Sequence, residues 1–571
     1  MDPVEELFTF VTSGDLVSLQ QLLLKHPAMN INHQQGERRT TALMKAVIEG
    51  NLEIVGFLLD HPRTLSHLFD QDDDTAFDLA VTSKRHAVVR RFLVDPRTEF
   101  SPLFRAAGMG QLDRVSALLQ DPAVDVNEQN LHGRTAFYFA CYMGDVEVAR
   151  LLAGDPRIDV NLCKAGGMTP MHVACLRNNV EILRFLIEED RVNVNAGNDD
   201  NATPFLVACQ EGVTETVQLL LNSPRVDVTI QMKNLTSPVY IACEFGRLET
   251  VRLLLRDGRC DPNVTRASKT CPLFIACQNN HAEVVRALLE DPRVNVNAVK
   301  ETGATSFSIA CDKGNLDVVR LLADNDRVNI NLPRENNSSP FYIACEFGRT
   351  EVVRFLVDHP RIDINAQRGT GVSPLYIACQ NGHEDIVTLL VHSPRININT
   401  PREDGAFPLL VACERKYRNI VRTLLSHPHL HVNFQGAEGS GALHVAAEIG
   451  DEDLMAVLLE DPRLDVNLIT KISKVTALWF AAQFGHLGIV HQILTSRAYV
   501  DTHQRSISGL DGWNDKTAAE QGVKQGHELV ANVINWYEAN PVEARVSIWK
   551  NSPRRGKPPS PSSLFTNPDG R

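Results

Sequence analysis

Basic residues are in the minority in this chain: Lys and Arg number 57 against 70 Asp and Glu in 571 residues, a formal net charge of −13 at neutral pH. A surface of that sign repels a phosphate backbone, so nucleic acid is not an expected partner. Long apolar runs are missing too. None approaches the ~18 residues that a membrane-crossing helix needs, and no membrane insertion is expected. The opening MDPVEELFTFVTSGD has acids where a secretory leader has bases, which places the chain in the cytoplasm, with the nucleus as the other expected compartment. Among the twelve cysteines no C-x-x-C pair occurs, which argues against a structural zinc site. The run FDQDDDTAFD puts Asp70, Asp72 and Asp74 at the first three ligand positions of a calcium loop, but the required sixth-position glycine is Thr75 and the final glutamate is Val81. GAEGSGALH near Gly436 lacks the Lys-Ser/Thr that completes a phosphate loop. No Ser-His-Asp or paired-carboxylate arrangement stands out. Neither an enzyme nor a metal or cofactor site is expected.

What the chain has is self-similarity. From Ala106 to Ala446 an alanine recurs every 34 residues, usually four places before a Gly, Asn or Lys. A period of that size marks a solenoid whose units bury their apolar faces only by stacking. With degenerate units around Phe10 and Gly522 the count is about sixteen. In the unit VSPLYIACQNGHEDIVTLLVHSPRININT, Ser373 can cap a helix that starts at Pro374, where a missing N–H is harmless. Gly382 allows the turn into a second helix carrying Ile386, Val387, Leu389 and Leu390, and Pro394 stops it. RININT then alternates like one arm of a β-hairpin. The expected fold is therefore an all-α dominated solenoid, two antiparallel helices and a hairpin finger per unit, over residues 1–540. Degenerate caps are expected near 1–35 and 510–540. The interval from Ala80 to Ala106 is only 26, so one finger should be absent near 98–101, making residues 1–97 a weak point. An insertion falls near 496–514, and the basic, Pro- and Ser-rich stretch 541–571 is expected to be a disordered tail.

The segments TPMHVACLRNN at Thr169–Asn179, SPLYIACQNGH at Ser373–His383 and GALHVAAEIGD at Gly441–Asp451 carry a recognisable pattern. The chain resembles the ankyrin-repeat family over about residues 4–538. It departs from the family in one feature: the usual G-A-D-V-N turn is replaced by D-P-R-V-N-V-N, as at Asp291–Asn297, one residue longer. The resemblance implies a protein-interaction scaffold or adaptor with a concave groove. It also allows a second role, the substrate-recognition subunit of a ubiquitin ligase, although no recruiting box follows the repeats. Asparaginyl hydroxylation of finger asparagines is a further family property.

The variable positions before the turn glycine face the groove in that family. Here they place Tyr142, Met143, Glu211, Glu244, Phe245, Glu346, Phe347, Gln380, Asn381, Gln483 and Phe484 as partner-binding candidates. Glutamates beside phenylalanines on an acidic solenoid suggest a basic and apolar partner segment. The echo of SPVYIACEFGR from Ser237 in SPFYIACEFGR from Ser339, 102 residues on, suggests duplicated contacts. In the tail, Arg555, Pro558 and Pro561 fit a ligand of SH3-type domains, and Ser552 and Ser560, each followed by proline, fit proline-directed phosphorylation. The nine cysteines beside the lattice alanines should be buried and reduced, leaving Cys163, Cys260 and Cys271 for labelling. His172 with Cys175 and Cys163, and His427, His429 and His431, lie close enough in sequence to suggest metal ligands but read as repeat and turn residues. Recurrent turn arginines and finger asparagines, such as Arg361 and Asn365, read as structural, bonding side chain to backbone.

Overall fold

A computed structural model describes residues 2–71, 74–83, 85–98, 100–496, 498–506 and 515–540. Among them are thirty-two helices, arranged as sixteen antiparallel pairs, and the chain divides into two compact units, residues 1–267 and 268–571, with eight pairs in each. The first helix of a pair is short and in most pairs starts on a Ser or Thr hydroxyl. Ser373 Oγ accepts from the Tyr376 amide at 3.1 Å, and Pro374 occupies the first helical position. The helix closes on Gly382, whose φ of 77° lies in the left-handed region. A side chain there would meet a second obstacle, because an added Cβ would lie 2.8 Å from the Tyr417 ring of the next repeat. Lattice alanines such as Ala344, Ala378 and Ala412 are fully buried, which lets successive first helices approach closely.

The expected β-hairpin is not formed. Among the described residues the only strand pairings are two isolated bridges, Gln35 with Thr40 and Val299 with Thr305. Each finger is instead a run of tight turns, and fingers are joined by side chains. Asn365 Nδ2 donates to the Arg395 carbonyl at 2.8 Å while its Oδ1 accepts from the Asn397 amide at 2.8 Å. Asn331 does the same with Arg361 and Asp363, and Asn127 with Arg157 and Asp159. A primary amide thus supplies the donor and acceptor that a strand ladder would otherwise provide. The finger arginines were expected to order their own turns; they also reach backwards. Arg361 donates to the carbonyls of Ala323 at 3.0 Å, Asn325 at 3.2 Å and Val328 at 2.5 Å, closing the end of the preceding repeat's second helix.

Only residues 95–101 separate the helices His86–Val94 and Pro102–Gly108, too few for a finger. Contacts made across the short unit stand in for it. Arg134 Nη1 lies 2.5 Å from Asp78 Oδ1 and His132 Nε2 lies 2.7 Å from Asp78 Oδ2, with Asp78 wholly buried. Arg105 donates to the carbonyls of Leu93, Asp95 and Phe100, at 2.7, 2.8 and 3.1 Å. Phe77, Phe100, Phe104 and Phe139 pack ring to ring alongside, with centroids 4.6 to 5.1 Å apart in sequence order.

The cysteines need a correction. Cys345, Cys379 and Cys413 are buried as expected, and burial drives these thiols well above their ordinary pKa. Cys260 and Cys271 are buried too. Cys271 stands 34 residues after Ser237 and takes the same helix-capping place, its Sγ accepting from the Phe274 amide at 3.4 Å. Cys260 fills a position held by a buried valine, Val226 or Val294, in neighbouring units. Cys163 alone among the twelve is exposed. A thiol reagent under native conditions is therefore expected to modify one sulfur quickly and the rest only on unfolding, with peptide mapping placing the label at Cys163; comparable labelling of Cys260 or Cys271 would contradict this packing.

Candidate functional site

In the unit of residues 268–571 the ends of three successive first helices line an open groove of about 520 Å³, bounded by Glu346, Phe347, Gln380, Asn381, His383, Arg415 and Tyr417. Phe347 is there because the helix Pro340–Glu346 ends one residue before it. As the cap, with φ −93°, it precedes Gly348 and leaves its ring 47% exposed. Phe245 holds the equivalent place in the unit of residues 1–267 and is 46% exposed. A large apolar ring held half in water beside polar neighbours is the arrangement on which interfaces concentrate their energy.

The groove floor is fixed by bonds from one repeat to the last carbonyls of the one before. Asn381 Nδ2 donates to the Glu346 carbonyl at 2.9 Å, and His383 Nε2 lies 3.1 Å from the same oxygen. Arg349 Nε donates to the Asp312 carbonyl at 2.6 Å. Asn381 therefore serves the framework as well as the surface. His383 and Arg349 sit just after the turn glycine, and sequence reading passed over them because their acceptors are 37 residues away.

Cations in the finger loops were also missed. Arg266, Lys300, Arg334, Arg368 and Arg402 recur at 34-residue intervals. Arg266 lies 3.3 Å from Glu244 and over the Tyr240 ring at 5.0 Å. Arg368 lies 3.8 Å from Glu346 and over Tyr342 at 6.0 Å, and Arg334 pairs with Asp312 at 2.8 Å. Burial raises the Tyr342 phenol above its ordinary pKa, so it stays protonated at neutral pH. The glutamates that suggested a basic ligand are thus already answered by the protein's own arginines. What each rung leaves uncommitted is the phenylalanine ring.

The other sequence candidates divide. Glu211, Met143, Gln380 and Gln483 are half-buried. Glu211 accepts from Gln210 at 3.4 Å, and Gln483 accepts from Gln521 and, at 3.4 Å, from Gln525. Phe484 is exposed but stacks on Phe480 of its own helix at 6.5 Å. Tyr142 is not at the surface: it is 7% exposed, its hydroxyl donates to the Val81 carbonyl and Arg177 covers its ring at 4.4 Å. The absent finger explains this, since the ring reaches across the short unit. Arg555, Pro558, Pro561, Ser552 and Ser560 lie outside the described residues, as do residues 497 and 507–514 of the stretch 496–514. His172 is committed to the framework, with Nε2 2.8 Å from the Ala202 carbonyl and Nδ1 beside Thr169 at 2.8 Å. Its buried ring titrates below the ordinary histidine range. No helix among the described residues is long and apolar enough to cross a membrane.

Comparison with known proteins bears on the same segments. A family model described as ankyrin repeats in three copies matches residues 7–101, 156–232, 208–300, 239–334, 293–368, 341–436 and 409–506, and one described as ankyrin repeats in many copies matches 103–153. Among solved structures, the ankyrin repeat domain of Bcl-3, described as a unique member of the IkappaB protein family, is 25% identical, with a TM-score of 0.36, over 39% of this chain and all of that one. No curated protein sequence matches.

Proposed function

The chain belongs to the ankyrin-repeat family, whose repeats are generally protein–protein interaction modules, and from that premise we propose that it is a non-catalytic intracellular adaptor. Its groove residues hold an apolar segment of a partner protein. The observation that carries this is Phe347, an aromatic ring kept half in solvent by the helix end behind it and flanked by Tyr417, Gln380 and Asn381. The pairing of Glu346 with Arg368 shifts the weight of recognition from charge to ring contact. A basic character of the partner then rests on the net −13 of the chain, which acts on encounter rate and salt sensitivity more than on dwell time.

Proximity labelling or co-purification with the intact chain and with Phe347→Ala tests the proposal. Loss of a central aromatic anchor is expected to weaken capture of the bound protein about 30-fold, the equivalent of roughly 2 kcal/mol. The melting temperature should move little, because exposed substitutions usually change stability by less than about 0.5 kcal/mol. A large fall in melting temperature would mark the ring as core. Unchanged capture by a normally folded variant would move the site elsewhere.

A further inference from the structure

Four fingers share a pair of amide side chains, asparagine five places and glutamine seven places after the finger proline. They are Asn32 and Gln34 after Pro27, Asn127 and Gln129 after Pro122, Asn365 and Gln367 after Pro360, and Asn433 and Gln435 after Pro428. In each, the asparagine holds a carbonyl and an amide of the next finger and the glutamine holds a further carbonyl. Asn127 meets the Arg157 carbonyl and the Asp159 amide, both at 2.8 Å, and Gln129 donates to the Cys163 carbonyl at 3.2 Å. Gln34, Gln367 and Gln435 donate likewise to the carbonyls of Phe69, Pro401 and Ile469, at 2.6, 3.3 and 2.6 Å. The branched residue before each asparagine, Ile31, Val126, Ile364 or Val432, is buried. Apolar–Asn–x–Gln is thus the form in which one finger grips the next.

At the short unit nothing offers that grip. The fifth residue after Pro96 is Ser101, already the cap of the helix Pro102–Gly108. The finger before it, which follows Pro62, has His67 and Phe69 where the others have asparagine and glutamine. Among the described residues nothing bonds the Ala123 carbonyl, the Asp125 amide or the Gln129 carbonyl, the counterparts of Arg157, Asp159 and Cys163. Asp78 holds this finger only through His132 and Arg134. Between the two flanking fingers lies a cavity of about 50 Å³, lined by Ser66 and His67 on one side, Leu131 on the other, and Phe77, Phe92 and Phe100. A water needs roughly 10–15 Å³ of such space, so the end of a branched apolar side chain fits. Leu131 is 65% exposed, and Leu65, next to Ser66, is 43% exposed. Phe69, whose ring meets that of His132 at 6.0 Å, is 42% exposed. Three large apolar side chains in water around an apolar cavity mark a contact surface.

We propose that this cleft is a second docking site, independent of the groove at Phe347, and that it takes an extended segment of another protein of the form apolar–Asn–x–Gln. The apolar side chain enters the cavity, the asparagine engages Ala123 and Asp125, and the glutamine engages Gln129, as a finger would. A second copy of the chain is a poor source, because the amides of its own four such fingers are already engaged. Fluorescence anisotropy on the intact chain tests this with a labelled peptide IDINAQR, copied from residues 362–368. Binding is expected to saturate with a Kd below about 1 mM, and the peptide with alanine at both amide positions should bind at least about tenfold more weakly, three hydrogen bonds being lost. Leu131→Asp should weaken binding by a similar factor and Phe347→Ala should leave it unchanged, while the bound peptide slows exchange of the Asp125 amide. No saturation, equal affinity for the alanine peptide, or unchanged affinity in a folded Leu131→Asp chain overturns the proposal. So does loss of binding in Phe347→Ala, or an Asp125 amide whose exchange the peptide leaves as it was. Self-association of the chain that the peptide competes away overturns it in favour of a second copy in the cleft. Should Leu131→Asp fail to fold, the alanine peptide and the Asp125 amide decide.

Discussion

Replacing Asp78 with alanine is expected to destabilise the unit of residues 1–267 by about 3–5 kcal/mol, the scale set by leaving one member of a buried ion pair without its partner. Arg134 is itself buried and would keep its charge without the carboxylate that pairs with it. Thr75 would lose the carboxylate that accepts from its amide at 3.0 Å and completes the cap of the helix Ala76–Thr82. Because these bonds run across the short unit, the first three helix pairs should lose hydrogen-exchange protection before the rest of that unit. The effect has a pH signature. Burial would raise the Asp78 pKa, but the hydrogen bond from His132 and the charge of Arg134 outweigh it and hold the carboxyl well below the ordinary range. A group depressed in the folded state contributes its full stability above its unfolded pKa, near 4, and loses it as pH falls through the folded value. Asp78→Asn should therefore flatten the acid limb of the stability profile. A variant that melts like the unmodified protein, with uniform protection across the short unit, would mean that the helices alone carry the coupling.

Trp479→Ala is the second large change expected. The indole is fully buried, and truncating such a ring typically costs about 3–5 kcal/mol. Its Nε1 donates to the Lys516 carbonyl at 3.2 Å, and Lys516 directly precedes the cap of the helix Ala518–Lys524. The ring thereby holds the entry to the last helix pair, which follows the longest spacing between neighbouring repeats. In Trp479→Ala, residues 515–540 should exchange freely under conditions where Pro340–Glu346 remains protected. Trp479→Phe, which keeps most of the volume and loses the donor, should give a smaller shift, about 1–2 kcal/mol. A uniform loss across residues 268–540 instead would show that the last pair is held by its other neighbours.

The helices could be read from the sequence because their signals are local. Ser373, Pro374 and Gly382 set a helix start and stop within ten residues, and the same places recur along the chain. The finger contacts could not, since Asn365 meets backbone 30 residues ahead and Arg361 meets backbone 38 residues behind. Alternation in RININT suggested a ladder, but each finger exposes too little paired backbone and a side-chain amide takes that role. Cys271 and Cys260 were legible in principle. Measured against the capping serines and the finger valines, rather than the alanines, they too fall on a 34-residue lattice. At the groove, Phe347 could be singled out as an aromatic at one of the positions before the turn glycine, which the family resemblance turns toward the groove. The charge state of its surroundings could not, because Glu346 and its partner Arg368 belong to different structural elements.

The side-chain clamps also determine which changes of length the gene can carry. Asn331 and Asn365 find their acceptors 30 residues on, and Arg361 and Arg395 theirs up to 38 residues back. Copying a whole number of 34-residue units preserves every such distance, and the 102-residue echo between Ser237 and Ser339 is three such units. Gain or loss of one or two residues inside a unit slides donors past their carbonyls on both sides at once. Such lesions should be purged from the array. The 26-residue interval before Ala106 is a shortening that survived in company with Asp78, His132 and Arg134. Those three side chains are heritable compensation for the lost finger, so a lineage that regained a full-length unit there would be free to lose them.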